Sequence, residues 1–117
     1  MLRGIRGAIT VEHDTAQAIA EATRELLTEL LARNEVALGD IAAATFSLTT
    51  DLRAAFPAST ARALGWGLVP MLCHPEVPVP DSLPRCIRVL VLWNTDRSQA
   101  DIQHVYLRDA KQLRPDW

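Results

Sequence analysis

This sequence of 117 residues has few cysteines and no long apolar run. No stretch approaches the ~20 apolar residues of a membrane-spanning helix, so we expect no membrane partner. The first six residues lack the apolar stretch of a secretory signal. The two cysteines, Cys73 and Cys86, form no CxxC pair. These features predict a cytoplasmic protein with free thiols.

Motifs for cofactors and metals are also missing. The chain has neither a GxGxxG nor a Walker loop, which argues against a nucleotide held by glycines. Cys73, His74 and Glu76 make a poor metal site because adjacent strand residues point to opposite faces. A Cys-His nucleophile built from Cys73 and His104 is also improbable, because no local pattern indicates an environment that would activate the thiol. We therefore predict neither a metal nor a cofactor.

Basic charge is not in excess, since 12 Lys and Arg oppose 14 Asp and Glu for a net charge of -2. This balance argues against nucleic acid as a partner. Lys111 is the one lysine, so the other eleven basic residues are arginines. Compositional bias accounts for most of these arginines. Arginine binds carboxylates in a bidentate geometry that lysine does not reproduce, so the question is which few arginines have a specific anionic partner.

The length and the 49% hydrophobic content predict one small domain with a single core. The hydrophobic pattern predicts strands over 2–10, 40–48, 68–72 and 86–93, an extended segment over 104–108, a long helix opening at 14 and a short one over 57–64. We expect Asp14 to cap the long helix and Asn34 to end it. A strand, a helix and a strand in succession predict parallel first and second strands in one sheet.

Prolines and apolar runs define the remaining segments. Pro70 indicates either an edge position or an irregularity for the third strand. Pro75 to Pro84 indicates an extended loop. The nearly continuous apolar run over 86–93 is typical of a strand buried on both faces. Near the end, Arg114 precedes Pro115 and is either a solvated terminus or a flap over a ligand, and the residues alone favour the terminus.

Arg88 interrupts the apolar run and needs either a buried carboxylate partner or a polar cavity. Arg6 lies between Gly4 and Ala8, whose small side chains leave space above the sheet. The two arginines could converge on one ligand that carries carboxylates. Glu76 directly follows a strand end, where sites are often assembled. Arginines, a carboxylate, a thiol and a phenol fit binding, or catalysis by electrostatics alone.

Ordered motifs extend along the whole chain: Arg3-Gly4-Ile5-Arg6-Gly7-Ala8, Thr10-Val11-Glu12, Phe56-Pro57-Ala58, Cys86-Ile87-Arg88-Val89, His104-Val105-Tyr106-Leu107 and Leu113-Arg114-Pro115-Asp116. Together they resemble the monofunctional chorismate mutases of the AroH class. The resemblance implies a single domain over 1–117 with an α+β fold, a mixed β-sheet and one long helix packed on it. It also implies a pseudo-barrel homotrimer with active sites between subunits, and the Claisen rearrangement of chorismate to prephenate in phenylalanine and tyrosine biosynthesis.

The resemblance also implies roles for individual side chains. Arg88 would donate to the ether oxygen of the breaking C–O bond. Arg6 would bind the enolpyruvyl carboxylate, with Tyr106 in support. Glu76 and Cys73 would bind the ring hydroxyl.

Further substrate-binding positions follow from the same resemblance. Phe56 would pack on the substrate ring from the neighbouring subunit, beside Ala58, and Arg62 would lie near the ring carboxylate. Leu113 and Arg114 match the tail that closes the mouth of the family's site. The chain departs from the family at the pocket rim, where Ser59 replaces a lysine of some members and Met71-Leu72 replaces smaller or polar residues. Longer members also continue beyond the position of Trp117.

Two other functions remain open at this point. One is an imine deaminase-like enzyme on a similar trimeric fold, whose site also presents arginine to a carboxylate. The other is a non-catalytic binder of aromatic metabolites. The full set of Arg6, Phe56, Glu76, Arg88 and Tyr106 favours the mutase over both.

Overall fold

The computed structural model describes residues 1–116, which form a five-stranded sheet in the order β3-β2-β4-β1-β5. The strands are β1 (Leu2–Thr10), β2 (Ile41–Leu48), β3 (Met71–Pro75), β4 (Cys86–Asn94) and β5 (Val105–Leu107). The α-helices are α1 (Ala16–Asn34) and α2 (Pro57–Ala63), with 3-10 helices at Leu38–Asp40, Gln99–Asp101 and Arg108–Leu113. The predicted α+β class, with a long helix on a mixed sheet, is confirmed.

The centre of the sheet is β4, which pairs antiparallel with both β1 and β2. β1 and β2 therefore run in the same direction. This confirms that the first and second strands are parallel, as predicted, although β4 lies between them. The buried side of α1 packs on one face of the sheet. At Gly7 of β1, an added Cβ would lie 3.1 Å from Leu26 and 3.2 Å from Val89. Glycine at this position lets the helix approach the sheet closely.

The N-cap of α1 is Thr15, whose side chain accepts a hydrogen bond from the N–H of Ala18 at 3.1 Å. The prediction of Asp14 as the cap is wrong by one residue. The Asp14 carboxylate instead accepts the backbone N–H groups of Arg53 and Ala54, at 2.8 and 2.9 Å. It thereby holds the segment that precedes α2.

The other end of α1 is at Asn34, as predicted. The residue after it, Glu35, has a left-handed backbone with φ 55°. The buried Asn34 amide donates to the carbonyls of Leu30 and Gln103, each at 2.9 Å. This side chain therefore ties the helix end to the segment that leads into β5.

The third strand begins at Met71, so the prediction of residues 68–72 is wrong. Pro70 has no N–H to donate and stands just before the strand, where its carbonyl accepts from Ala44 at 3.0 Å. The predicted edge position is confirmed, because β3 pairs only with β2 among the described strands. Leu72 and His74 are exposed, so main-chain pairing rather than apolar burial defines this strand.

The prediction that β4 is buried on both faces is wrong. Val89 and Val91 point to the core, whereas Leu90 between them is 42% exposed. Arg88 is on the same side as Leu90 and is only half-buried. The reason is that α1 covers one face of the sheet and leaves much of the other open.

The C-terminal segment covers one end of this second face. Ala110, in the 3-10 helix Arg108–Leu113, is fully buried in a cluster with Ala8, Cys86 and Tyr106, and Leu113 packs against it. The chain is therefore packed against the sheet as far as Leu113, whereas Pro115 and Asp116 beyond Arg114 are exposed, and Trp117 lies outside the described residues. Among residues 1–116, no helix has the length and apolar character to span a bilayer.

Candidate active site

Arg6 and Arg88 converge on one cavity of about 300 Å³ on the second face of the sheet. The antiparallel register of β1 and β4 pairs Arg6 with Leu90 and Ala8 with Arg88. The two arginines are thus diagonal neighbours on one face, a separation of about 7–8 Å between backbones. The convergence that the sequence suggested is confirmed.

Glu76 faces the same cavity from the end of β3. Its backbone N–H donates to the carbonyl of Leu48 at 2.7 Å, which continues the pairing with β2 beyond the strand. Its Oε2 lies 3.8 Å from Nη1 of Arg88, and the two side chains are 26% and 36% exposed. Arg88 therefore has a carboxylate neighbour without being sealed into a buried pair, and it remains open to the cavity.

Ser47 of β2 completes this arrangement. Its register position is directly opposite Arg88, and its Oγ donates to Oε2 of Glu76 at 2.7 Å. Sequence reasoning missed this residue because its neighbours on the sheet are about thirty or more positions away along the chain. The available signal was weak, since Ser47 and Thr45 are the two polar residues of a mainly apolar strand.

His104 lies beside Arg6 at the start of β5. Its Nδ1 accepts the backbone N–H of Arg6 at 3.0 Å, which requires a neutral ring. Burial, and then the positive charges of Arg6 and Arg114, lower the pKa of His104 below 6.5. Sequence reasoning quoted this histidine within a family motif and rejected it as a partner for Cys73, and the structure places the two near opposite edges of the sheet.

A second cavity of about 150 Å³ shares Glu76 and Arg88 and is also lined by Cys86 and Leu113. Tyr106 is in the buried cluster beside it. Burial raises the pKa of the Cys86 thiol to about 11, so this thiol is neutral at physiological pH. The structure thus brings Leu113 and Tyr106 to the part of the sheet that carries Arg88.

Arg114 follows Leu113 and pairs with Asp116 through two hydrogen bonds of 3.2 and 3.0 Å. The hydrogen bond to Asp116 raises the pKa of this guanidinium, and the charge of Tyr106 acts in the same direction. Arg114 also acts electrostatically on His104. The predicted tail residue is therefore close to the groups around Arg6.

Two predicted site residues are in a separate cavity. Phe56, 68% exposed, and Cys73 both line a mainly apolar space of about 520 Å³. Cys73 pairs with the buried Phe46 in β3 and β2, whereas Arg88 pairs with Ser47. Because alternate strand residues point to opposite faces, Cys73 and Arg88 lie on opposite sides of the sheet. One chain by itself does not bring these two groups together.

The predicted residues of α2 differ in their exposure. Ala58 is 7% exposed and belongs to the core. Arg62 is exposed and donates to Oγ of Ser59 at 3.2 Å. Its guanidinium therefore remains near the surface of α2.

The protein is thus of the α+β class, and an open face of its sheet presents two arginines and one carboxylate to a shared cavity, an arrangement suited to an organic anion. Comparisons with known proteins make this class specific. Residues 2–117 match the family described as chorismate mutase type I, and the chain belongs to this family.

Named relatives agree with the family match. The chain is 58% identical to chorismate mutase AroH of Thermus thermophilus over 117 residues, 99% of this chain and 96% of the relative. It is 44% identical to chorismate mutase AroH of Bacillus subtilis, over 99% of this chain and 92% of the relative. The solved structure of a chorismate mutase from Clostridium thermocellum superposes with a TM-score of 0.92 at 45% identity, covering 94% and 98% of the two chains. These findings give no support to an imine deaminase.

Proposed function

We propose that this protein converts chorismate to prephenate on the second face of its sheet, as a step toward phenylalanine and tyrosine. The observation that carries the proposal is the convergence of Arg6 and Arg88, with Glu76, on one cavity. Two cations and one carboxylate leave a net charge of +1 (2 − 1), which suits a dicarboxylate substrate. Family membership supplies the reaction.

This reaction requires few catalytic groups from the protein. The rearrangement breaks a C–O bond and forms a C–C bond within one molecule, with no proton transfer. The barrier falls if the substrate is bound in a compact reactive conformation and if negative charge growing on the ether oxygen is stabilised. The cavity of Arg6 and Arg88 is equipped for these two tasks.

Arg88 is the group that we assign to the ether oxygen. Its side chain extends from the central strand into the cavity and keeps 36% of its surface exposed. A fixed cation in a site that the substrate closes to water stabilises developing negative charge without costly rearrangement.

The other groups bind and orient the substrate. Arg6 would bind the enolpyruvyl carboxylate with support from Tyr106, and Glu76 would accept a hydrogen bond from the ring hydroxyl. Leu113 and Arg114 would cover the mouth of the site. The burial of Ala110 beneath this tail, and its packing beside Tyr106, support that role.

We also propose that the active site is completed between subunits of a homotrimer. Phe56 and Cys73, together with Ala58 and Arg62, would reach the substrate from a neighbouring chain. Two observations support this arrangement: Phe56 is 68% exposed, and Cys73 lines a cavity on the side of the sheet opposite Arg88. Light scattering after size exclusion should give three times the 12.9 kDa chain mass, and a monomeric mass would contradict it.

The activity is tested by adding chorismate to the purified protein and following loss of its absorbance together with formation of prephenate. Conversion that depends on Arg88 is the expected result. A protein that binds chorismate and leaves it unchanged would instead be a non-catalytic binder. Chorismate that is neither bound nor converted would contradict both functions.

We further propose a single domain in the cytoplasm. A single sheet that takes strands from Leu2 to Leu107 supports one domain. The two free cysteines suit a reducing compartment.

A further inference from the structure

Glu76 and Arg88 are close enough to attract each other and too far apart for a direct hydrogen bond. The 3.8 Å between Oε2 and Nη1 exceeds the 2.7–3.2 Å typical of N–H···O bonds. A glutamate at the end of a strand can rotate, and it gains energy by closing on a nearby guanidinium. Something must therefore hold Glu76 in its observed position.

Ser47 makes that contact. Its hydroxyl donates to Oε2 of Glu76 at 2.7 Å, the distance expected for a hydroxyl on an ionised carboxylate. The serine is on β2 directly opposite Arg88, so its Oγ approaches the carboxylate from the floor of the cavity. The oxygen nearest to Arg88 is thus the oxygen that Ser47 occupies.

We propose that Ser47 is a positioning residue for catalysis, which acts by holding Glu76 back from Arg88. This inference rests on the proposed function of the site. With Oε2 bound by Ser47, the second oxygen of Glu76 can accept from the substrate hydroxyl. The N–H groups of Arg88 can then donate to the ether oxygen rather than to a carboxylate of the protein.

Replacement by alanine is the first test. In Ser47→Ala, Glu76 can close on Arg88 and occupy donors that the transition state needs. The hydrogen bond from Arg88 to the ether oxygen is stronger in the transition state than in the bound substrate. Its loss should therefore lower kcat by about tenfold, the effect of one charged hydrogen bond, and raise KM by less. Ser47→Thr keeps the hydroxyl and suits a strand, so it should retain most of the activity.

A double-mutant cycle separates positioning from a general structural effect. If Ser47 acts through Glu76, the alanine substitution should cost little more in a Glu76→Gln background, where no ion pair with Arg88 can form. The matched control is Ser98→Ala, which removes another serine-to-carboxylate bond, to Asp101 at 3.0 Å, outside the cavity. Its kinetics should equal those of the unmodified protein.

Three results would overturn the inference while leaving the proposed function intact: normal turnover in Ser47→Ala, equal losses in the alanine and threonine variants, or the same loss in both backgrounds. Circular dichroism of each variant confirms that the fold is retained. An unmodified protein that fails to convert chorismate would overturn the proposed function, and this inference with it.

Discussion

The imidazole of His104 accepts a hydrogen bond from the backbone N–H of Arg6, with 3.0 Å between Nδ1 and the backbone nitrogen. This bond joins the start of β5 to the middle of β1, at the residue assigned to the substrate carboxylate. It exists only while the ring is neutral, because a protonated imidazole has no acceptor.

The first prediction is a loss of stability in mild acid. The pKa of His104 is below its ordinary 6.5 in the folded protein, so the unfolded chain binds this proton first. The contribution of His104 to the free energy of unfolding should therefore be fully present above pH 6.5. It should be lost as the pH falls from there to the pKa of the folded protein. Urea titrations at neutral pH and about pH 5 measure the change.

The control for this prediction is His104→Asn, whose side-chain oxygen can accept the same N–H without titrating. Its stability should fall less over the same pH interval. Equal losses in the two proteins would assign the acid sensitivity to other groups.

The second prediction concerns Arg88. Arg88→Ala should lower kcat by about 10² to 10³, the loss seen when one oxyanion donor is removed. Arg88→Lys keeps the charge and loses the planar fork, so it should fall between the alanine variant and the unmodified protein. Steady-state kinetics with chorismate measure both, and a thermal melt checks the fold. Normal turnover by Arg88→Ala would refute the assignment.

The third prediction is that Cys86 does not react with thiol reagents while the protein is folded. Its pKa is raised to about 11 by burial, and the thiolate is the reactive form. Mass spectrometry after iodoacetamide treatment should find Cys86 unmodified in the native protein and modified after unfolding. Rapid native labelling would show that the thiol is accessible.

The same shift makes stability fall in alkali. The folded pKa is raised from 9.0, so the contribution of Cys86 is fully present below pH 9.0 and is lost as pH rises through about 11. In Cys86→Ala, melting temperatures should fall less over this interval. An unchanged alkaline dependence would contradict the role of the thiol.

The fourth prediction distinguishes two neighbouring residues at the start of α1. Thr15→Ala removes the N-cap and should lower the free energy of unfolding by about 1 kcal/mol. Asp14→Ala leaves that cap in place and instead frees the N–H groups of Arg53 and Ala54. It should therefore loosen the segment before Phe56 and increase its protease sensitivity. If Asp14→Ala destabilised only the helix and left the segment before Phe56 unchanged, Asp14 rather than Thr15 would be the N-cap.

Elements with strong local patterns could be predicted closely from the sequence. Alternation along β1 predicted its observed bounds, Leu2–Thr10. The long helix α1 and its end at Asn34 were also predicted correctly. The bounds of β3 were wrong, because its side chains carry little apolar signal and its position depends on pairing with β2.

The site divides in the same way. A charged residue in the middle of an apolar strand singled out Arg88, because burial of a charge demands an explanation. Nothing local singled out Ser47, whose importance depends on its register opposite Arg88 and on its bond to Glu76. The separation of Cys73 from Arg88 likewise depends on which strands are paired.

By itself, the sequence determined the α+β class, the long helix, the central apolar strand and the family, because periodicity and ordered motifs are local properties of the chain. Only the tertiary structure decided which side chains share a cavity, that α1 leaves the Arg88 face open, and that the tail packs beside Tyr106. These features depend on strand order and register, which arise from hydrogen bonds between distant segments. Side chains alternate between the two faces of a strand, so the register of pairing determines which face each side chain occupies. Strand pairing therefore decides which of the predicted residues lie on the same face.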